Sequence, residues 1–321
     1  MPNSIFANAR AAALSVRLPG AERLNRMADC SSAEDAVKIL QEAGFGEGVA
    51  SSDPETLIAA EERSFAAFVR DAAPDGRVAR FLLARWDFAN AEAVMRAKYL
   101  KRDAKTMAGT EGVYPLALLE EKIFADDYKP FSPQLAKALA EADAMFVGGT
   151  ATGRRVGTLF ARAQYAEEAE TAKKERSLKE IAALRADAAN IGIALRARNA
   201  RIAAEMEVPG GTLTKRELEA LAQEGADTIR EIFRRSPRRE LIACALEDFT
   251  AGRALLSLER AADGAALSVL KRERYSDEGM RPFLRYCFER FAEIGNVRII
   301  LSCLANGADR AVLRARMREM L

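Results

Sequence analysis

The strongest constraint on the fold of this chain is a short pattern that occurs three times. Each copy has an acidic residue, two further residues and an asparagine, followed by a mostly apolar run with helical character. The copies are Asp87–Asn90, Asp187–Asn190 and Glu293–Asn296, and their asparagines lie 100 and 106 residues apart. A unit that recurs about every hundred residues in a chain of 321 residues predicts three copies of one helical module.

Two further landmarks accompany this acid–Asn motif. A basic residue follows each asparagine, and a glycine that opens another helical stretch lies further along. The basic residues are Arg96, Arg196 and Arg298, and the glycines are Gly112, Gly211 and Gly307. We therefore predict module boundaries that give residues 1–110, 111–210 and 211–321.

The acid–Asn motif has two interpretations. A functional motif would place three equivalent polar positions on a shared surface. A structural motif would use the tendency of Asp and Asn side chains to cap helices and to bond to local backbone, and we favour this interpretation. Each acid then lies about one turn before its asparagine. We expect Arg96, Arg196 and Arg298 to pair with a buried carboxylate of the same or the next module, since a buried unpaired charge costs several kcal/mol.

The rest of the sequence favours helix at nearly every position. Ala, Leu, Arg and Glu dominate, and aromatic residues make up only 7%. Helix starts are marked by Asp53–Pro54, Ser132–Pro133 and Ser236–Pro237, and Thr214 with Glu217 fits a capping box. We find no convincing alternation of β-branched residues with hairpin turns. The sequence therefore predicts an all-α fold.

A charged stretch, 173–176, interrupts the longest helical pattern, 157–204. Runs of charge usually lie in water. We therefore expect a solvated face or a bend between two helices at this point.

Composition excludes several classes of function. The 49 basic and 47 acidic residues leave a net charge of +2 with no basic half, which argues against a nucleic-acid partner. The absence of histidine excludes imidazole catalysis and His-ligated metal sites. The longest charge-free runs, 144–153 and 299–308, fall far short of the roughly twenty residues of a membrane-spanning helix. No secretory signal is visible.

The four cysteines have no paired spacing. They are Cys30, Cys244, Cys287 and Cys303, and we expect buried thiols in a reducing compartment. Adjacent carboxylates such as Glu61–Glu62, Glu120–Glu121 and Asp126–Asp127 lack a nucleophile beside them, so we assign them no catalytic role. We expect no cofactor and no small-molecule substrate.

A glycine-rich segment, Gly148–Arg155, has the glycine spacing of a phosphate-binding loop. Such a loop needs a lysine for the β- and γ-phosphates, followed by a Ser or Thr hydroxyl for magnesium. Arg154 and Arg155 occupy both places, and no strand pattern precedes the segment. We therefore favour a flexible loop between helices over a nucleotide site.

Three segments resemble a known family. Arg85–Asn90 with Arg96–Leu100 is similar to the first-module signature of the C subunit of the V/A-type rotary ATPases, the relative of the d subunit of the eukaryotic V-ATPase. Phe6–Arg10 is similar to the N-terminus of that family. Glu293–Leu301, followed by Asn306–Gly307, is similar to its C-terminal signature. The resemblance spans essentially the whole chain.

This resemblance implies a fold and a role. Family members have three similar helical modules around a pseudo-threefold axis, which form a funnel. The funnel lies on the cytoplasmic end of the membrane proteolipid ring and receives the foot of the central shaft. The resemblance therefore implies a non-catalytic, peripheral rotor adaptor whose partners are the coiled-coil shaft, its companion protein and the ring.

A second hypothesis comes from the repeats alone. They equally support a free-standing α-helical scaffold that binds protein partners. Under either hypothesis we expect exposed loops rather than apolar helices to contact partners. The candidate residues are Gly44, Gly46 and Gly48 in one loop and Arg272 and Arg274 in a second loop, 271–277.

Overall fold

The computed structural model describes residues 3–272 and 279–320 of the chain. These residues form sixteen α-helices and one short 3-10 helix, and none of them is in a strand, so the all-α prediction is confirmed. The α-helices are α1 (Ser4–Ser15), α2 (Gly20–Ala28), α3 (Ala33–Glu42), α4 (Pro54–Ala72), α5 (Gly76–Leu100), α6 (Leu116–Phe124), α7 (Pro133–Val147), α8 (Gly153–Ala172), α9 (Arg176–Ala197), α10 (Ala200–Met206), α11 (Lys215–Gln223), α12 (Ala226–Ile232), α13 (Arg239–Thr250), α14 (Leu256–Arg272), α15 (Arg281–Ala305) and α16 (Arg310–Arg316).

Local capping chemistry starts several of these helices. Asp53 accepts from the backbone N–H of Thr56 and precedes Pro54, the first residue of α4. Ser132 caps α7 in the same way, and Thr214 with Glu217 forms the predicted capping box of α11. The start predicted at Ser236–Pro237 is displaced, because a turn intervenes and α13 begins at Arg239 without a side-chain cap.

The described chain divides into two compact units. The first unit consists of Met1–Asp75 together with Ser236–Leu321, and the second is the continuous segment Gly76–Arg235. Packing crosses the module boundaries that the repeat predicts. In the second unit α8 packs on α5, and in the first unit α4 packs on α15. The division into three modules of about one hundred residues stays a prediction.

The core of the second unit lies where α5 meets α6, α7 and α8. Phe88 and Val94 of α5, Leu119 of α6, Leu135 of α7 and Phe160 of α8 all belong to one buried cluster. Burying such apolar side chains is the main favourable term in folding, at about 25 cal/mol per Å² removed from water. Helix α9 then packs on α8 and carries α10 and α11.

The core of the first unit is built around α15. This helix is packed by α1, α2, α3, α4 and α14. Phe65 of α4 meets Phe291 edge-on with 4.6 Å between ring centroids, and Phe68 contacts Phe283 and Tyr286. The aromatic side chains of Phe283, Tyr286 and Phe291 on α15 therefore face the core of this unit.

Cys287 and Cys303 are buried and Cys30 and Cys244 half-buried, and all four are free thiols. Burial raises the pKa of the Cys287 thiol well above its ordinary value, which keeps it protonated. In the described part of the chain, no helix has the length and apolar composition that crossing a membrane requires.

Candidate functional site

The acid–Asn motif lies inside the three longest helices rather than at their starts. Its copies occupy the interiors of α5, α9 and α15, and all six acid and asparagine side chains are at most 3% exposed. Residues three apart share one face of a helix, so the acid and the asparagine of each copy point in a common direction. The expectation that the motif caps a helix is therefore wrong, while its role in bonding to backbone is observed.

In the first copy the motif binds a loop about twenty residues further along. The Asn90 amide accepts from the N–H of Gly109 at 2.8 Å and donates to the carbonyl of Thr110 at 2.9 Å. The Asp87 carboxylate accepts from the N–H groups of Val113 and Tyr114, at 3.1 and 2.9 Å. The two side chains thereby hold the segment between η1 (Ala104–Thr106) and α6 against α5.

The second copy repeats this arrangement. Asn190 accepts from the N–H of Val208 at 2.8 Å and donates to its carbonyl at 2.9 Å. Asp187 accepts from the N–H groups of Thr212 and Leu213 at 2.6 and 3.1 Å, and from the Thr212 hydroxyl at 2.7 Å. A buried backbone group without a hydrogen-bond partner costs free energy. The side chains of each copy supply such partners to the loop that packs against them.

The glycine landmark has a steric cause in these two copies. A Cβ atom on Gly112 would lie 2.3 Å from Asp87 Oδ1, and one on Gly211 would lie 2.5 Å from Asp187 Oδ1. No real Cβ approaches an oxygen so closely, so only glycine lets the backbone reach the carboxylate. Gly307 is not their equivalent, because it follows the end of α15 with φ of +62° and has open space where a Cβ would be.

The third copy keeps the asparagine but changes the acid. Asn296 accepts from the N–H of Arg318 at 2.7 Å and donates to its carbonyl at 3.0 Å, as the other asparagines do. Glu293 instead accepts from the guanidinium of Arg290 at 2.6 Å. Its second oxygen, Oε1, has no hydrogen-bond partner among the described residues. Burial raises the pKa of Glu293 to about 7, against the opposing effect of Arg290.

Arg290 links the third copy to two distant segments. Its guanidinium pairs with Glu61 of α4 and lies 5.4 Å from the ring centroid of Phe45. Glu61 in turn accepts from the N–H of Gly46 at 2.5 Å. One largely buried cation thus joins α15, α4 and the loop after α3.

The predicted basic residues have different surroundings. Arg96 pairs with Glu92, one turn earlier on α5, at 2.5 Å, and donates to the carbonyl of Gly153. Arg298 pairs with the buried Glu62 at 3.2 Å, which joins the third predicted module to the first. Arg196 is exposed. The expectation of a buried carboxylate is therefore met by Arg298 but not by Arg96 or Arg196.

Sequence reasoning did not predict the burial of two pairs of adjacent glutamates, the first of which it had named. Glu61 and Glu62 lie on α4, and Glu167 and Glu168 lie on α8. Arg80 of α5 lies 3.6 Å from Glu167 and Arg185 of α9 lies 3.1 Å from Glu168. Burial also raises the pKa of Glu167.

A signal for Glu61 and Glu62 was present in the sequence. Leu57, Ile58, Phe65 and Ala66 are the buried apolar residues one turn before and one turn after this pair. An acid that interrupts an apolar stripe at helical spacing faces the core, where it needs a partner.

The candidate contact residues divide by exposure. Gly44 and Gly48 are exposed. Gly46 is buried, and a Cβ on it would lie 2.4 Å from a Leu57 methyl group, so its role is to pack the loop on α4 rather than to meet a partner. Arg272 is the exposed last residue of α14, and Arg274 lies outside the described residues.

The glycine-rich segment connects two helices, as favoured from its sequence. Helix α7 ends at Val147, and Thr152 caps α8 by accepting from the N–H of Arg155 at 3.2 Å. The Arg155 guanidinium donates to the carbonyl of Thr150 at 2.8 Å and so lies across the loop. Within residues 3–272 and 279–320, no group of three or more His, Cys, Asp or Glu side chains is placed to hold a metal ion.

Comparison with protein families gives one match over nearly the whole chain. Residues 7–316 match the family described as ATP synthase (C/AC39) subunit. A search of curated proteins found no match. The family match agrees with the resemblance carried by the residues around Asn90 and Asn296, and the chain therefore belongs to the ATP synthase (C/AC39) subunit family, which comprises the C subunit of the V/A-type rotary ATPases and its relative, the d subunit.

Proposed function

We propose that this rotary ATPase component is a non-catalytic rotor adaptor. It joins the central shaft to the membrane proteolipid ring and transmits torque for coupled ion transport, as a peripheral protein on the cytoplasmic face. The observation that carries the proposal is the family match over residues 7–316. The three copies of the acid–Asn motif support three similar helical modules around a pseudo-threefold axis, with a funnel between them.

The interior of each unit suits a part that transmits force. Close-packed helices have low compressibility. The acid–Asn motifs fix loop backbone to helix interiors, and buried ion pairs join helices that are far apart in sequence, as Arg290 joins α15 to α4. A load applied to one helix is therefore passed to its neighbours with little deformation.

Affinity purification tests this function directly. The tagged chain would be recovered from mildly solubilised native membranes, and its partners identified and counted by mass spectrometry. We expect proteolipid, shaft and catalytic subunits in stable ratio. Recovery of the chain alone, or with unrelated soluble proteins, would contradict the rotor role and favour the scaffold hypothesis.

The contact loops are tested in the same assay. Reversing the charge of Arg272 and Arg274 to Glu should reduce recovery of the other subunits if this loop contacts one of them. The matched control is Arg216→Glu, at an exposed position on α11. Undiminished assembly of the Arg272 and Arg274 variant would remove this loop from the interface. Gly44 and Gly48 remain candidates for the other loop.

A further inference from the structure

A groove in the second unit remains outside the features described so far. It lies over the seam between α7 and α8, is also lined by the chain around Met206, and has a volume of about 580 Å³. Polar and apolar side chains both line the groove. The apolar part of its lining includes half-buried side chains, namely Met145, Leu159, Ala163, Ala166 and Met206.

The groove follows the axis of α8. Arg155, Leu159, Arg162 and Ala166 line it at spacings of four, three and four residues, which is one face of a helix. At 1.5 Å per residue this stripe is about 16 Å long, or about three helical turns. A groove of this length over two packed helices, lined partly by apolar side chains, fits the side chains of a third helix, which would use positions i, i+4 and i+7 as anchors.

The rim of the groove carries more basic than acidic side chains. Arg154, Arg155 and Arg162 are exposed, and within the described chain none of them pairs with a carboxylate. Among the described residues, the guanidinium groups of Arg155 and Arg162 donate to the carbonyls of Thr150 and Glu205.

The two rim acids already have cationic partners. Glu141 lies 3.8 Å from Lys137, and Glu205 lies 3.4 Å from Arg201. The three arginines therefore give the rim a net positive potential, and charge complementarity favours a partner with acidic residues beside its apolar face.

We propose that this groove binds an amphipathic α-helix of a partner protein, with acidic residues on both sides of its apolar stripe. The arginines of the glycine-rich segment then recognise carboxylates rather than a nucleotide. The N–H of Arg155 is bonded to the Thr152 side chain and is therefore not available to a phosphate. The inference goes beyond the rotor role and does not depend on it.

A peptide titration tests the proposal on the purified full-length chain. The probe is a fluorescent helical peptide of about four turns, with leucine at i, i+4, i+7 and i+11 and glutamate on both flanks. Fluorescence anisotropy should show saturable binding that weakens with salt, because surface charge attraction is screened. A peptide with lysine in place of glutamate should bind at least about tenfold more weakly.

Variants of the chain locate the binding. The triple change Arg154→Glu, Arg155→Glu and Arg162→Glu should weaken binding of the acidic peptide by at least about tenfold. Ala166→Trp should also weaken binding, because it fills the apolar part of the groove. Arg216→Glu on α11 is the matched control and should bind as the unaltered chain does. Circular dichroism melting of each variant establishes that the fold is retained.

Three results of these titrations would overturn the proposal, and a competition experiment adds a fourth. They are absence of saturable binding of the acidic peptide, equal binding of the glutamate and lysine peptides, and unchanged affinity in the folded triple variant. Displacement of the peptide by inorganic phosphate or ATP at comparable concentration would instead assign the arginines to a phosphate site and likewise reject the helical occupant. The peptide assay contains no other rotor protein, so its outcome does not decide whether the chain has the rotor role.

Discussion

At the scale of single residues, the asparagine side chain of each acid–Asn motif supplies hydrogen bonds that backbone groups normally receive from other backbone. Its amide satisfies one backbone N–H and one backbone carbonyl at once, as Asn190 does for Val208. A hydrogen bond contributes only about 1 kcal/mol net, but leaving a buried partner unsatisfied costs about 1–3 kcal/mol. Removing the asparagine should therefore cost more stability than the net contribution of its hydrogen bonds suggests.

Replacing Asn190 by Ala tests this directly. The change leaves the N–H and the carbonyl of Val208 without their hydrogen-bond partner. We therefore expect a loss of about 2–5 kcal/mol in the free energy of unfolding. The matched control is Asn199→Ala, which removes only the exposed cap of α10 and should cost about 1 kcal/mol. Urea denaturation followed by circular dichroism measures both. Equal losses in the two variants would show that the buried asparagine stabilises the fold no more than an exposed helix cap does.

The glycines after the first two motifs give a steric prediction. Gly112→Ala forces a methyl group against Asp87, which must move and release its backbone partners. We expect a loss of about 2–4 kcal/mol on the free energy of unfolding. Gly264→Ala, inside α14 with open space around the new Cβ, should stabilise by about 0.5–1 kcal/mol. Thermal unfolding of both variants should shift in opposite directions, and shifts of the same sign would contradict the steric account.

The buried carboxyl of Glu293 gives a pH dependence. Its pKa rises from 4.5 unfolded to about 7 folded, so the folded state binds more protons within that interval. Stability therefore falls as pH rises through the interval, by roughly 3 kcal/mol from this group, and is constant above it. Glu293→Gln should remove this part of the slope, so that the variant matches the native chain near pH 5 and exceeds it near pH 7.5.

The control for this prediction is Glu259→Gln, at an exposed position of α14. Other buried acids, such as Glu167, also have raised pKa values and contribute the same sign, so the difference between each variant and the native chain is the quantity to compare. Denaturant midpoints across the pH range supply it. A Glu293→Gln slope equal to that of Glu259→Gln would reject the raised pKa.

At the scale of helices, ion pairs decide which elements belong together. Arg290 occupies the position three residues before the acid, where the other two copies have Ala84 and Leu184. It ties α15 to α4 and, through Glu61, to the loop at Gly46. The third copy therefore uses an arginine to reach across to α4, whereas the first two use the acid to hold their own following loop.

A double-mutant cycle measures this link between helices. Arg290→Met leaves Glu61 and Glu293 buried without their cation, and should cost about 3–5 kcal/mol. Adding Glu61→Gln should recover part of that loss, because it removes one uncompensated charge. The neighbouring pair of Arg298 with Glu62 is the comparison, since the arginine is 43% exposed and its loss should cost less than the loss of Arg290. Additive losses at Arg290 and Glu61 would show that the two residues are not coupled.

The sequence predicted the elements better than their contacts. The caps at Asp53, Ser132 and Thr214 are local signals, and they were confirmed. The bend near residues 173–176 was also confirmed, since α8 ends at Ala172 and α9 begins at Arg176. The partners of Asp87 and Asn190 were missed, because a bond to backbone 18–27 residues away depends on the path of the loop.

At the scale of the whole molecule, helices of one predicted module pack on helices of another. Helix α8 belongs to the second module by sequence but packs on α5 of the first, so the continuous compact unit is Gly76–Arg235. The segment 111–210 omits α5 and with it Phe88, Val94 and Met95 of the core. A fragment cut at the repeat boundaries would therefore expose the faces of α6, α7 and α8 that α5 covers.

Two fragments test this organisation. Residues 76–235 should express as a folded helical unit with a cooperative thermal transition, since the unit keeps its buried core. Residues 111–210 should be unfolded or aggregated, because its apolar faces lose their partner helix. Circular dichroism and size-exclusion chromatography distinguish the two results. A cooperative transition of the 111–210 fragment would show instead that the repeat unit folds independently.

The sequence alone determined the helical class, the threefold acid–Asn motif and the family. These properties follow from periodicity, capping residues and local motifs, which act over a few residues of chain. Only the tertiary structure decided that the motif lies inside helices, that Gly46 is buried and that Glu61 meets Arg290, 229 residues away. Such contacts depend on how helices pack, because burial sets both the cost of a charge and the partner that must satisfy it.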